Sequence, residues 1–227
     1  MKLRLLLPLI VCGTLLGRLA GQAEPDQPPS GLNGRIEGDT YVSPTGVFKM
    51  KIPVLPELGG EVTDTPNVAT FYDDINLHIS VGAFALARDQ KWEFETRGIK
   101  DYLTYFFGNF IMPDFKTRFP GAEVETASFL PKFQEGALHL CVLLPGGSSF
   151  MRMAGLRSDE APVVAKRGFI CFVKNSHFFV ISTELAERVL ERSTYKNTPE
   201  QEEVILRHRL QDLIGKITFL NPPETPK

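Results

Sequence analysis

The sequence has few cysteines, a single tryptophan and almost no net charge. Its 227 residues include three Cys and one Trp, and 25 basic residues nearly balance 27 acidic ones. Without a run of Lys or Arg, this balance argues against binding to nucleic acid or to an anionic membrane surface. Hydrophobic residues make up 43% of the chain, and 17 residues are Phe. The composition is typical of a globular protein with a sizeable core.

The sequence also lacks the short motifs that mark catalytic, metal or cofactor sites. The segment Gly146-Gly147-Ser148-Ser149 has no second glycine to complete a Gly-x-Ser-x-Gly elbow, and Gly59-Gly60 leads into a strand instead of a helix. His78, His139 and His177 fall on separate predicted strands and form no close-spaced pair of zinc ligands. We therefore predict no catalytic residue, no metal site and no cofactor.

The N-terminus has the three-part pattern of a secretory signal. Two basic residues precede the apolar run Leu5–Leu16, and the small residues Gly21 and Ala23 follow it. The run is shorter than the roughly 20 apolar residues that a membrane-spanning helix needs. We predict a signal peptide over residues 1–23, export to the periplasm or the exterior, and no transmembrane segment after cleavage.

The cysteines leave two questions open. Lipid attachment at Cys12 is the alternative to a lipid-free exported protein, but the bulky Val11 precedes this cysteine, which lies inside the apolar segment. Cys141 and Cys171 remain after cleavage. An oxidising compartment permits a disulfide between them, and two buried thiols acting as small apolar residues are the other interpretation.

Composition divides the rest of the chain into three parts. Residues 24–38 are rich in Pro and Gly and poor in apolar side chains, which predicts a flexible linker. Residues 39–221 are predicted to form a single domain. The Pro-rich residues 222–227 resemble the linker in composition, and we expect a disordered tail.

Alternating apolar and polar residues predict a series of strands. Val47–Ile52 alternates strictly after a turn, and Asn67–Tyr72 with Asn76–Phe84 forms a second hairpin in which His78 and Ser80 point away from the apolar face. Further strand-like runs cover residues 122–130, 136–144, 149–154, 167–174 and 177–183.

Two segments change to the helical period. From about Lys91 to Phe110, apolar and aromatic residues recur every three or four positions, and Met112-Pro113 should end that helix. Thr198-Pro199-Glu200-Gln201 has the pattern of a capping box. The buried stripe predicted after it comprises Leu206, Leu210, Leu213, Ile214 and Ile217. Strands and helices in this order predict an α+β fold in which helices pack on a single antiparallel sheet.

Two polar segments have both a structural and a functional interpretation. Asp73-Asp74 lies in a predicted hairpin turn, where acidic residues are common, and calcium binding is the alternative. Glu184–Arg192 carries charges of both signs at helical spacing. We expect a solvated helix face there, with a docking surface for a partner as the alternative.

The opening Tyr41-Val42-Ser43-Pro44-Thr45-Gly46-Val47-Phe48-Lys49-Met50-Lys51-Ile52-Pro53 resembles the start of PsbP-like domains. The order of elements over Tyr41–Leu220 is similar too. The resemblance implies an α/β/α sandwich and a small accessory or binding protein without a shared catalytic centre. It carries over no functional residue.

These observations favour an exported, non-enzymatic accessory or binding protein. We expect its partner to be another envelope or secreted protein rather than nucleic acid. The alternative is an extracytoplasmic enzyme, a hydrolase or a metal-dependent enzyme, whose active residues come together from distant positions.

Overall fold

The structure is a computed structural model that describes residues 31–150 and 163–221. The predicted signal peptide with Cys12, the first part of the predicted linker and the predicted tail lie outside the described residues. The strands are β1 (Arg35–Glu37), β2 (Thr40–Val42), β3 (Phe48–Lys51), β4 (Glu61–Asp64), β5 (Val68–Tyr72), β6 (His78–Ala85), β7 (Glu123–Leu130), β8 (Ala137–Pro145), β9 (Val164–Lys174), β10 (His177–Glu184) and β11 (Ile217–Phe219). The α-helices are α1 (Arg88–Arg97), α2 (Ile99–Phe106), α3 (Met112–Arg118), α4 (Ala186–Leu190) and α5 (Pro199–Gly215).

The strands form two antiparallel sheets. The large sheet has seven strands in the order β4-β5-β6-β10-β9-β8-β7, and the small sheet has four in the order β1-β2-β3-β11. The α+β class is confirmed, but the prediction of one sheet is wrong. Pro53 and Pro56 end the ladder after β3, because proline lacks the N–H that a ladder needs. The chain then turns before β4, and β3 pairs with β11, where Phe219 lies opposite Phe48.

The predicted flexible linker is wrong at its C-terminal end. Arg35–Glu37 form β1, which pairs with β2. Before it, the backbone N–H groups of Asn33 and Gly34 donate to the Asp64 carboxylate at 2.7 and 2.6 Å. Asp64 also accepts a hydrogen bond of 2.7 Å from the Tyr41 hydroxyl. One carboxylate on the large sheet therefore holds the start of the small sheet in place.

The predicted aromatic helix consists of several helical segments. Gly98, with a φ of 78°, separates α1 from α2, and a π-helical turn at Phe107–Ile111 joins α2 to α3. The prediction that Met112-Pro113 ends the helix is wrong. Pro113 lies in the first turn of α3, where the missing N–H costs no hydrogen bond.

Most other predicted elements are confirmed. Four of the five later strand-like runs correspond to β7, β8, β9 and β10. For the run predicted at 149–154, Ser149 and Phe150 lie in a turn and the remainder is outside the described residues. The capping box of α5 is present, with Gln201 N–H donating to the Thr198 hydroxyl at 3.3 Å and Thr198 N–H to the Gln201 side chain at 2.9 Å. Ile217 begins β11 instead of extending the helix.

The large sheet is covered on both faces. Leu210, Leu213 and Ile214 of α5 pack on one face against residues such as Ile170 and Ile181. On the other face, α2 and the π-helical turn pack Tyr102, Leu103, Phe106 and Phe107 against residues such as Leu140 and Phe178. Within the described ranges, no helix is long and apolar enough to cross a bilayer.

Cys141 and Cys171 lie on opposite faces of this sheet. In the β8–β9 ladder Cys141 is opposite Gly168, and Cys171 is opposite Leu138, three positions along. Cys141 packs with Leu206 of α5, whereas Cys171 belongs to the cluster beneath α2. Three positions span about 10 Å along a strand, beyond the roughly 7 Å between Cα atoms that a disulfide tolerates. Both thiols are free and buried, as in the second interpretation.

Candidate functional site

A cleft of about 760 Å³ lies between the large sheet and the helical segments on one of its faces. Its volume falls within the range of about 300–1,000 Å³ that is usual for small-molecule sites. Strands β5, β6, β9 and β10, the segment from α2 to α3 and the loop after β8 supply its described lining. The lining residues are Val68, Thr70, His78, Ser80, Gly82, Phe84, Phe106, Phe110, Ile111, Asp114, Phe115, Arg118, Phe119, Gly146, Gly147, Ser148, Ser149, Arg167, Phe169, Val180 and Ser182.

The sheet side of the cleft is a polar floor formed by Thr70, His78, Ser80, Arg167 and Ser182. Strand pairing aligns them in two rows, because alternate residues of neighbouring strands share a face. In one row Thr70 pairs with Ser80, and Ser80 with Ser182. In the next row Glu184 pairs with Arg167. If the β6–β10 register is extended by one pair, His78 lies opposite Glu184.

Such polarity is unexpected on this face. Central strands that are covered on both sides are normally apolar throughout, and burying polar groups costs free energy unless they find partners. In the row on the other side of Ser80 and Ser182, Gly82 and Val180 make the lining apolar, as packing alone requires. Local departures from the packing rules are expected where a protein has a binding or catalytic role.

Glu184 organises one end of the polar floor. Its buried carboxylate accepts hydrogen bonds from the Ser148 hydroxyl at 2.5 Å and the Ser149 backbone N–H at 3.0 Å. The third donor is the Arg167 guanidinium, at 3.1 Å. Glu184 thus fixes the loop after β8 against the floor and balances the charge of Arg167. Among the described residues, the Arg167 Nε atom is buried without a hydrogen-bond partner.

His78 is uncharged at neutral pH. Burial, and to a smaller extent the nearby Arg167 guanidinium, lower its pKa from 6.5 to about 4, and Glu184 only partly offsets these effects. A neutral imidazole donates from one ring nitrogen and accepts at the other. The His78 Nδ1 atom is buried, and no described group forms a hydrogen bond to it.

The opposite side of the cleft is an aromatic wall formed by Phe106, Phe110, Phe115 and Phe119. Phe110 lies in the π-helical turn Phe107–Ile111, and such turns are frequent at functional sites. The Phe106 and Phe110 ring centroids lie 4.9 Å apart, and Phe110 remains 48% exposed at the cleft mouth. An ion pair between Asp114 and Arg118 lies on the rim.

A second polar cluster, on the opposite face of the sheet, is structural. Lys166 and Glu202 are fully buried, and Lys166 forms ion pairs with both Glu202 and Glu125. Arg188 of α4 donates to both Glu202 carboxylate oxygens at 2.7 and 2.8 Å. The prediction of a solvated helix face over Glu184–Arg192 is therefore wrong in part. Arg188 of α4 packs against α5 through its ion pair with Glu202.

The remaining predicted polar residues lie apart. His139, on the α5 face, has its pKa lowered to about 4 by burial, and its Nδ1 is 3.9 Å from Glu203. The His177 Nδ1 atom lies 2.9 Å from the Asn175 carbonyl. Asp73 accepts three backbone N–H groups of its own turn, as a turn residue does. Over the described part of the chain, no three His, Cys, Asp or Glu side chains converge on a metal position.

No protein-family model and no curated protein sequence matches this chain. Among solved structures, the cyanobacterial PsbP from Synechocystis is similar, with a TM-score of 0.47 and 12% identity over 80% of this chain and 91% of that chain. The Ran-binding protein Mog1p of Saccharomyces cerevisiae is also similar, with a TM-score of 0.46 and 11% identity over 84% of this chain and 97% of that chain. A PsbP is thus among the structures that this chain resembles, as its opening residues predicted. No residue role is carried over.

The cleft was not predicted from the sequence, although one signal for it was present. His78 and Ser80 alternate with apolar residues in β6, and Ser182 and Glu184 do the same in β10. Alternation of this kind usually indicates a solvent-facing side. The two strands are neighbours in the middle of the sheet, and only that pairing shows that the polar residues share a covered face.

Proposed function

We propose that this chain is a binding protein that holds a small, largely apolar ligand in the cleft between the large sheet and the α2–α3 segment. The observation that carries the proposal is the polar floor lying opposite the aromatic wall. Ligand sites are typically lined by apolar and aromatic side chains, with a few polar groups that fix the orientation of the ligand.

The size of the cleft suits a small ligand. Its volume of about 760 Å³ can hold a drug-sized molecule, and the cleft is open to solvent, so that a ligand can enter. Phe110 adds an accessible ring at the mouth, where an apolar molecule would gain contact area.

Binding of the uncharged fluorescent dye phenyl-α-naphthylamine tests this function. We expect saturable binding at one site per chain. Phe110→Ala should weaken it by about fivefold, which corresponds to about 1 kcal/mol of lost aromatic contact. Trp92→Ala is the matched control, because Trp92 is 62% exposed on α1 and lies outside the cleft lining. Absence of saturable binding, or an equal loss in both variants, would contradict the proposal.

We propose in addition that the protein is exported and acts beside another envelope or secreted protein. The N-terminal pattern supports export, and the sequence has no run of Lys or Arg that would favour nucleic acid over a protein partner. N-terminal sequencing of the protein from its source should begin near Glu24. A retained Met1 or a lipid on Cys12 would contradict processing at that position.

A further inference from the structure

We infer that the ligand of the cleft is uncharged, with an aromatic or alicyclic body and a carbonyl or hydroxyl oxygen at one end. The inference rests on the proposed function, because it specifies the chemistry of the molecule that the same cleft would bind. It follows from the charges, the hydrogen-bonding groups and the apolar gradient of the lining.

The charges of the described cleft lining and its buried partner Glu184 cancel. Arg167 is paired with the fully buried Glu184 at 3.1 Å, and Arg118 is paired with Asp114 on the rim. Among the described lining residues, no other side chain carries a full charge at neutral pH. A charge that enters a partly buried site needs a compensating partner. Glu184 neutralises the charge of Arg167, and the hydrogen bonds from the loop after β8 hold Glu184 in place, so an anion beside Arg167 would meet no uncompensated positive charge.

The uncharged groups of the polar floor match an oxygen-containing ligand. The Thr70 and Ser80 hydroxyls lie 3.3 Å apart and share one hydrogen bond, in which either can donate. Ser182 adds a third hydroxyl, and His78 is a neutral imidazole because burial lowers its pKa to about 4. Hydroxyl and imidazole groups both donate and accept. They therefore suit a carbonyl or hydroxyl oxygen without requiring a formal charge.

The lining changes from polar to apolar along the strands. His78 and Ser80 lie at one end of β6, and Gly82 and Phe84 follow on the same face. Gly82 has no side chain, and a Cβ atom there would come within 3.0 Å of the Phe84 ring. This gradient indicates a ligand whose oxygen lies towards His78 and whose apolar body extends over Gly82 towards Phe84 and Phe106, whose ring centroids lie 6.2 Å apart.

Two dyes that share one ring system test the charge of the ligand. Phenyl-α-naphthylamine is uncharged, and anilinonaphthalene sulfonate carries the same rings with an added anion. For the full chain, we expect the uncharged dye to bind more tightly by about tenfold or more, equivalent to about 1.4 kcal/mol. Equal affinity, or preference for the sulfonate, would overturn the inference and leave the binding function in place. Failure of both dyes to bind would overturn the proposed function and this inference with it.

A substitution on the exposed rim tests whether charge compensation causes the preference for the uncharged dye. Asp114→Asn leaves Arg118 on the rim without its acidic partner, so the sulfonate should gain at least about threefold relative to the uncharged dye. Asp101→Asn, an exposed change on α2 outside the cleft lining, is the matched control. An unchanged ratio in Asp114→Asn, or the same change in both variants, would show that paired charges do not set the preference.

Discussion

Lys166 Nζ and Glu202 Oε2 lie 2.5 Å apart, and both side chains are fully buried between the large sheet and α5. Burial alone would raise the pKa of Glu202, but the ion pair with Lys166 and the hydrogen bonds from Arg188 hold that pKa below its usual range. The ion pair therefore stays charged inside the protein. Replacing such a pair by apolar side chains can be neutral, but removing Glu202 alone leaves two cations, Lys166 and Arg188, with Glu125 as the acidic partner of Lys166.

Glu202→Gln should therefore be strongly destabilising. We expect a loss of about 3–5 kcal/mol in the free energy of unfolding, measured by chemical denaturation. Glu200→Gln changes an exposed residue in the same first turn of α5 and should have a much smaller effect on stability. Equal stability of the two variants would show that Glu202 is not needed to compensate the charge of the buried Lys166.

The apolar side of α5 gives a second stability prediction. Leu210 is fully buried against the large sheet, so Leu210→Ala should lower the free energy of unfolding by about 2–5 kcal/mol. Val204 on the same helix is 53% exposed, and Val204→Ala should change stability by less than about 0.5 kcal/mol. An unchanged melting temperature for Leu210→Ala would contradict the packing of this helix.

Stability should fall in mild acid because of His78 and His139. Burial lowers the pKa of each from the ordinary 6.5 to about 4, so the unfolded chain takes up these protons at a higher pH than the folded protein. Their contribution is complete above pH 6.5 and is lost as the pH falls towards 4. The slope is at most about 1.4 kcal/mol per pH unit for each histidine.

Denaturation at several pH values in this window would measure that slope. His139→Gln should flatten it, because the change removes one of the two buried imidazoles on which the slope depends. A slope that is unaffected by His139→Gln would mean that the ring of His139 is not buried in its neutral form.

The two cysteines should be reduced and slow to react. Burial raises the pKa of Cys171 strongly and that of Cys141 to about 11, so little thiolate is present near neutral pH. Peptide mapping after thiol labelling should find both unmodified in the folded protein and both labelled after denaturation without reductant. A Cys141–Cys171 disulfide in the map would contradict the opposite faces assigned to them.

The elements that follow from local sequence were predictable, whereas contacts between distant segments were not. The capping box of α5 depends on Thr198 and Gln201, which are three residues apart, and it was found from sequence. In contrast, β11 pairs with β3 although most of the chain separates the two strands in sequence, and no local pattern specifies that partner. The second sheet was missed for this reason.

The same limit applies to the cleft. The alternation of His78 and Ser80 was visible, but their neighbours Ser182 and Arg167 come from strands about 90 to 100 residues later. Lys166 was missed because a lysine in a strand normally indicates solvent exposure. Only the positions of Glu125 and Glu202 around it show why it is buried.

The position of bound phenyl-α-naphthylamine would show whether the cleft is the binding site. Intermolecular nuclear Overhauser effects between the dye and the isotope-labelled protein would identify the residues that it contacts. We expect contacts with Phe110, with Phe115 and with the methyl groups of Val180 in the cleft. Contacts confined to the exposed apolar side chains of Leu55, Leu58 and Ile75, outside the cleft lining, would contradict this expectation.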